Sequence, residues 1–268
     1  MSAPDATDVP RILIPPPGPK SRELLERMQR VLYPGMAHDL APFVIASKSG
    51  YTVEDVDGNV YLDLISAMAS VPLGVGRVDI LEPALAALQR YGNEDAHYLA
   101  SDLVAPLAEA LVRIAPPNLL RVDIALNGTE AVETAIRFMR RSTGRQIVIG
   151  FMGGYHGEAG TAGAVGAEAS SISRGYRALM PGFVHVPYPN PYRTPFTARP
   201  GGSGDGTVDY MRDHLLFHAI DPGEVAGVVI EPVMGSGGCV APPEGFWPAL
   251  VDLCREFDWI LCADEVKT

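Results

Sequence analysis

The sequence predicts an α/β protein whose mostly parallel sheet is covered by helices. Three observations predict it. From about residue 121, short apolar runs that read as strands alternate with segments of helical period, the signature of strand–helix–strand units. The chain has 268 residues, enough for one large domain or two smaller ones with a proper core. Hydrophobic residues make up 47% and charged residues 20%, as in an ordinary globular protein.

The elements follow in chain order. Residues 1–20 read as an extended arm, stiffened by Pro15-Pro16-Pro17. "SRELLERMQRVL" reads as a helix capped by Ser21, with Glu23 in its first turn. Leu24 stands where a capping box would place Glu or Gln, so the full box is absent. "YTVEDVDGNVYLDL" reads as a hairpin turning at Asp57-Gly58. Helical patterns follow near 79–91 and 101–114. Beyond them the expected strands are 121–126, 146–151, 183–187, 225–231 and 259–264, and the expected helices 129–142, 207–219 and 244–256. "VPYPNPYRTPFTARPGGSGDGT" is too rich in breakers for a helix and reads as a long loop, a type that often carries function. No internal repeat is present.

Composition excludes some functions. A net charge of −11 argues against nucleic acid or an anionic membrane as the main partner. The three cysteines, Cys239, Cys254 and Cys262, include no C-x-x-C pair, so neither a disulfide framework nor a zinc site is expected. A reduced, cytoplasmic compartment fits. No apolar run approaches the ~20 residues of a membrane span, and the polar, proline-rich start lacks the form of a signal peptide. Lysine occurs only at Lys20, Lys48 and Lys267.

Open α/β sheets bind ligands at the carboxyl ends of their strands, so the residues just past each strand carry the functional reading. Asn127-Gly128-Thr129 leads straight into a helix. Free N–H groups there, the helix dipole and the Thr129 hydroxyl suit an anion such as phosphate, although a plain helix cap looks the same. "GFMGGYHGEAG" sets Tyr155 and His156 among glycines: either a flexible turn or a ring offered to a flat ligand. Glu231 ends the run "VVIEP", as a site carboxylate or a strand cap on a wet edge. Asp264 and Glu265 follow four apolar residues; a partly desolvated Asp264 would want a cation, whether a protonated pyridine nitrogen, an arginine or a metal, and a solvated acid reads the same. Anion site, ring and carboxylate on neighbouring strand ends describe a cradle for pyridoxal phosphate.

The chain resembles the class III aminotransferases, enzymes of the type I pyridoxal-phosphate transferase fold. The stretches that carry the resemblance are "PGPKSRELLER", "DVDGNVYLDL", "NGTEAVETAIRFMRRSTGR", "FMGGYHGE", "VPYPNPYR", "EPVMGSGG" with "PPEGFWPALVDLC", and "ADEVKT", from about residue 17 to Thr268. The resemblance implies that Gly128 and Thr129 bind the cofactor phosphate. It implies that Tyr155 stacks on the pyridine ring beside His156, that Asp264 pairs with the ring nitrogen, and that Val266 packs on the ring's other face. Glu231 becomes a supporting acid near Asp264, and Met68 falls near the substrate, unless it is a plain core methionine. The resemblance further implies a homodimer that moves an amino group from an amine to a keto acid. Residues 1–60 would form the arm and part of a small domain, and residues 61–268 the large cofactor-binding domain.

Three departures matter. The family's Schiff-base lysine lies beyond the D-E-V motif, past Thr268, and Lys267 stands where the family commonly has glutamine. The chain therefore reads as the N-terminal portion of a longer enzyme, inactive alone. Glu158 replaces the arginine that 4-aminobutyrate enzymes place after "YHG", and Ser236 replaces a second glutamate in "EPVQGEGG". Both argue against a 4-aminobutyrate substrate, and Glu158 favours a cationic or neutral amine. The alternatives are an aminomutase or racemase of the same fold, or a non-catalytic cofactor-binding protein.

Overall fold

The computed structural model describes residues 9–33, 41–92, 99–168, 181–196 and 206–268. The chain divides into two compact units, Met1–Ala110 and Leu111–Thr268.

In the first unit, helix α1 (Pro19–Val31) precedes an antiparallel meander of β1 (Ile45–Ser49), β2 (Thr52–Asp55) and β3 (Val60–Leu62). The expected hairpin is present, with Gly58 supplying φ +89° at the turn. Asp55 ties the turn down: one carboxylate oxygen accepts the N–H groups of Asp57 and Asn59 at 2.9 Å, and the other accepts Asn59 Nδ2 and the Tyr61 hydroxyl at 2.8 and 2.7 Å. The fully buried Asn59 clasps the arm, accepting from Leu13 and Ile14 N–H and donating to the Ile14 carbonyl.

Ser21 is not the cap of α1, which corrects the sequence reading. Pro19 is pre-set for a first helical position, so the helix starts three residues earlier and Gly18 takes the cap position without a side-chain bond. The capping oxygens come from the hairpin: the Asp57 carboxylate accepts the N–H groups of Lys20 and Ser21 at 2.9 Å. A Cβ on Gly18 would lie 2.3 Å from the Asp57 carboxyl carbon, so this approach requires glycine. Ser21 is buried and its hydroxyl accepts from Val44 N–H.

Desolvation pushes the carboxyls of Asp55 and Asp57 up, but the hydrogen bonds outweigh it and hold both below their ordinary 3.8. A depressed folded-state pKa gives stability that is present above the unfolded value and lost as pH falls through the folded one. Acid unfolding followed by circular dichroism should therefore show stability falling below about pH 4, less steeply in Asp57→Asn.

After β3, Ser66, Ala67, Met68 and Ala69 are all left-handed, with φ between 50° and 66°. Helices α2 (Val78–Tyr91) and α3 (Val104–Ile114) are amphipathic, yet neither has a buried residue.

The second unit contains the expected parallel sheet. Its elements are α4 (Gly128–Thr143), β4 (Ile147–Met152), α5 (Gly160–Val165), β5 (Phe183–Pro187), α6, β6 (Val225–Ile230), α7 (Phe246–Glu256) and β7 (Ile260–Ala263). Helix α6 runs through Thr207–Tyr210, widens to a π-turn over Met211–Leu215 and closes at Leu216–His218. The strand order is β5-β4-β6-β7, with every neighbouring pair parallel. Side chains alternate between two cores. Ile149, Phe151, Val228 and Ile230 pack with Met211, Phe246 and Leu250 on one face, and Val148, Ala226 and Val229 with Ile136, Met139 and Val165 on the other. A Cβ on Gly150 would stand 2.3 Å from the Val165 carbonyl oxygen. Gly150→Ala is expected to cost about 2 kcal/mol or more, measurable by urea unfolding.

The expected strand at 121–126 is not one. Residues 121–125 have no regular structure, and no sheet includes them. An apolar run becomes a strand only with a neighbour to pair with, and none is available among the described residues. Ile124 N–H turns to the Asp123 carboxylate and Leu126 N–H to Glu130, while Leu126 stays 94% exposed. The expected long loop falls partly outside the described residues, at 197–205.

Candidate active site

The site is built at the carboxyl ends of β4, β6 and β7 and at the start of α4. Asn127 caps α4, accepting Glu130 N–H at 2.9 Å. This satisfies one donor of the first turn. No bond is recorded for the N–H groups of Gly128 and Thr129 among the described residues, and the space beside Gly128 is open. The cap comes from Asn127, and the N–H groups of the two residues after it are left available to an anion.

The loop after β4 links this helix start to the other strand ends through three successive residues. Tyr155 N–H donates to Glu231 Oε1 at 2.9 Å. His156 Nδ1 is hydrogen-bonded to Asp264 Oδ2 at 2.8 Å. Gly157, at φ +125°, lies so close to α4 that a Cβ there would stand 2.5 Å from Thr129 Oγ1. Any side chain at residue 157 would both strain the backbone and displace that hydroxyl. Gly157→Ala should weaken binding of inorganic phosphate and pyridoxal phosphate about tenfold, checked by fluorescence titration.

Glu231 is 4% exposed at the end of β6. Its second oxygen accepts Gly235 N–H at 2.8 Å, so one carboxylate joins the loops after β4 and β6 through main-chain bonds. Asp264 follows β7, the neighbouring strand, and its N–H donates to the Ile230 carbonyl. Its side chain is 14% exposed and that of His156 fully buried. Nε2 of His156 is buried with no hydrogen-bond partner among the described residues. The Tyr155 ring is partly buried, and its hydroxyl donates to the exposed Glu158 at 3.3 Å. Burial first, then the Glu158 charge, pushes the Tyr155 phenol above its ordinary 10.0.

Val266 is 65% exposed, and its N–H donates to Asp264 Oδ1 at 3.3 Å. Lys267 runs past Gly235: a Cβ on that glycine would meet Lys267 Cγ at 3.1 Å. Met68 belongs to the first unit, 66% exposed in the left-handed turn. Two participants escaped the sequence reading. The buried Tyr188 donates its hydroxyl to the Glu231 carbonyl at 2.9 Å; its place just past β5 was the available signal. Glu133 accepts from Thr161 and from Ala162 N–H, holding the start of α5 from α4, and nothing in the sequence marks it. The Cys262 thiol is pushed up to about 11, first by burial and then by Asp264, so it stays protonated beside the site. All three cysteines are free.

The arrangement offers open helix-start donors at one end, a partly buried aromatic ring, and a carboxylate held by a histidine at the other. A phosphate with a flat heteroaromatic ring matches each part. The class-III aminotransferase profile matches residues 34–268. The chain belongs to the class III aminotransferase family. Alanine/serine racemase of Pyrococcus horikoshii is 34% identical over 265 residues, 97% of this chain and 56% of that one. The 4-aminobutyrate aminotransferase of Mycobacterium tuberculosis is 29% identical over 259 residues, 96% of this chain and 58% of the relative. A solved (S)-enantioselective omega-transaminase from Thermomicrobium roseum superposes with a TM-score of 0.80 at 26% identity, covering 92% of this chain and 57% of its own. The chain thus spans little more than half the length of these class III relatives. The parallel sheet and its flanking helices are the α/β type I fold of this family. No helix among the described residues is long and apolar enough to cross a membrane, and no cluster of three metal-ligating side chains occurs among them.

Proposed function

We propose that this chain supplies the cofactor-holding part of a pyridoxal-phosphate-dependent aminotransferase that moves an amino group from an amine or amino acid to a keto acid. The observation that carries the reading is the run Tyr155-His156-Gly157. Three consecutive residues touch Glu231, Asp264 and Thr129 and so bring the anion-binding end and the acid end into one site. Bound pyridoxal phosphate supplies the electron sink on which amino-group transfer depends.

The chain's own residues divide the remaining work. Gly128 and Thr129 hold phosphate through main-chain N–H groups and a hydroxyl. Asp264 sets a negative charge against the ring nitrogen and keeps a proton there. His156 fixes the Asp264 carboxylate through its Nδ1 bond. Tyr155 stacks on the ring, and Val266 covers the opposite face. Glu231 keeps the two flanking loops in register. Glu158, exposed beside the Tyr155 hydroxyl, is assigned to face the amine. The lysine that the family places beyond the D-E-V run is not among residues 1–268, and Lys267 is not assigned its role. A homodimer and a cytoplasmic setting belong to the same proposal, supported by the family and by the three free cysteines.

The 34% identity to an alanine/serine racemase favours a second reading, racemisation at the same site. Acceptor dependence separates the two. In a full-length enzyme that carries this part, amine turnover should require a keto acid; inversion of an optically pure amino acid without any keto acid would overturn aminotransfer in favour of racemisation. Placing arginine at residue 158 should improve use of ω-amino acids, and an unchanged substrate preference would rule out Glu158 as a selector.

A further inference from the structure

We propose that His214 and His218 form a chelating site for a borderline divalent cation of the Ni²⁺, Cu²⁺ and Zn²⁺ class on the outer face of α6. The two histidines are four residues apart across the end of the π-turn, and the contact between their rings shows that both imidazoles share one face. Their rings are near parallel, at 25°, with centroids 6.4 Å apart. Both side chains are exposed, and no hydrogen bond or ion pair is recorded for either imidazole among the described residues. All four ring nitrogens are therefore open to a ligand. A shared ion requires the two rings to turn about their outer torsions so that one nitrogen of each faces it.

The neighbouring structure supports this use. Tyr210 stacks on His214 with centroids 5.6 Å apart, and Phe217 meets His218 edge-on at 4.8 Å, so a ring flanks the pair at each end. The π-turn at Met211–Leu215 ends just below His218, and such turns are frequent at functional sites. The buried Met211 and Leu215 fix the inner face of the same helix, and Arg212 is paired with Glu256 of α7 at 2.6 Å. The pair therefore stands on an anchored platform. With no third ligand among the described residues, water completes the coordination shell, and neutral imidazoles select borderline ions over Mg²⁺ and Ca²⁺.

Calorimetric titration of the purified chain with NiCl₂ near neutral pH tests the proposal. One site is expected, weakened at least about tenfold in His214→Gln and in His218→Gln, because each variant removes one arm of a chelate, and unchanged in Cys239→Ser, which removes the exposed thiol. A thermal shift with NiCl₂ that is reversed by a chelator and absent from both histidine variants gives the same answer in a variant of reduced stability. Wild-type affinity in either histidine variant, loss of binding in Cys239→Ser, or no saturable binding by the wild type would overturn it.

Discussion

Replacing Glu231 with alanine is expected to lower the stability of the chain by about 3 kcal/mol and to abolish cofactor binding. The carboxylate is 4% exposed and accepts two main-chain N–H bonds, from Tyr155 and Gly235. Removing it strands both donors next to a cavity, and each stranded buried donor costs about 1–3 kcal/mol. The two loops lose their common tie, so Tyr155 leaves the position in which it can stack. Glu231→Gln should recover only part of the loss, since its amide keeps one acceptor and sets N–H groups against the other donor. Urea unfolding gives the stability and fluorescence titration with pyridoxal phosphate gives the affinity. A Glu231→Ala chain that unfolds like wild type would show that this carboxylate does not hold the loops.

Asp264 should affect function more than stability. Asp264→Ala removes the charge proposed to face the ring nitrogen and takes away the Nδ1 hydrogen bond of the buried His156. In a full-length enzyme that carries this part, turnover should fall at least about 100-fold, the scale on which single preorganised electrostatic groups act. Asp264→Asn keeps the shape and loses the charge, so it separates charge from packing. If charge matters, Asn behaves like Ala in turnover and like wild type in unfolding. The ¹⁵N resonances of the His156 ring give a readout independent of activity, and they should move in both variants. Unmoved resonances would contradict the Nδ1–carboxylate bond.

Four of the five expected strands, the parallel sheet and the helices flanking it were legible because each rests on local pattern. Ile147–Met152 and Val225–Ile230 are unbroken apolar runs, and α4 carries its own start and stop in Asn127 and Gly144. The segment 121–126 misled because its composition fits a strand, while pairing depends on a neighbour that composition does not report. The cap of α1 misled for a related reason. A serine near a helix start is a local cue, whereas the group that caps α1 is Asp57, 37 residues beyond Lys20. At the site, residue types at strand ends were enough to nominate Tyr155, Glu231 and Asp264, and the helix start was enough to nominate Thr129. The partner of each was not legible. That Glu231 spends its charge on two backbone donors, and that His156 faces Asp264, follow from the register of β4, β6 and β7 rather than from the order of the letters.

The succession Tyr155-His156-Gly157 also has a thermodynamic consequence. Tyr155 and His156 are bonded to the strand ends and Gly157 packs closely on Thr129, so a shift at one end of the peptide is expected to be felt at the other. An anion that orders Thr129 against Gly157 thereby biases the orientation of His156 and the carboxylate it holds, and linkage requires the reverse influence to be equal in free energy. On the proposed reading, occupancy of the phosphate end and the electrostatic state of the acid end are expected to be coupled. Inorganic phosphate alone should shift the His156 resonances, even though it reaches only the helix start.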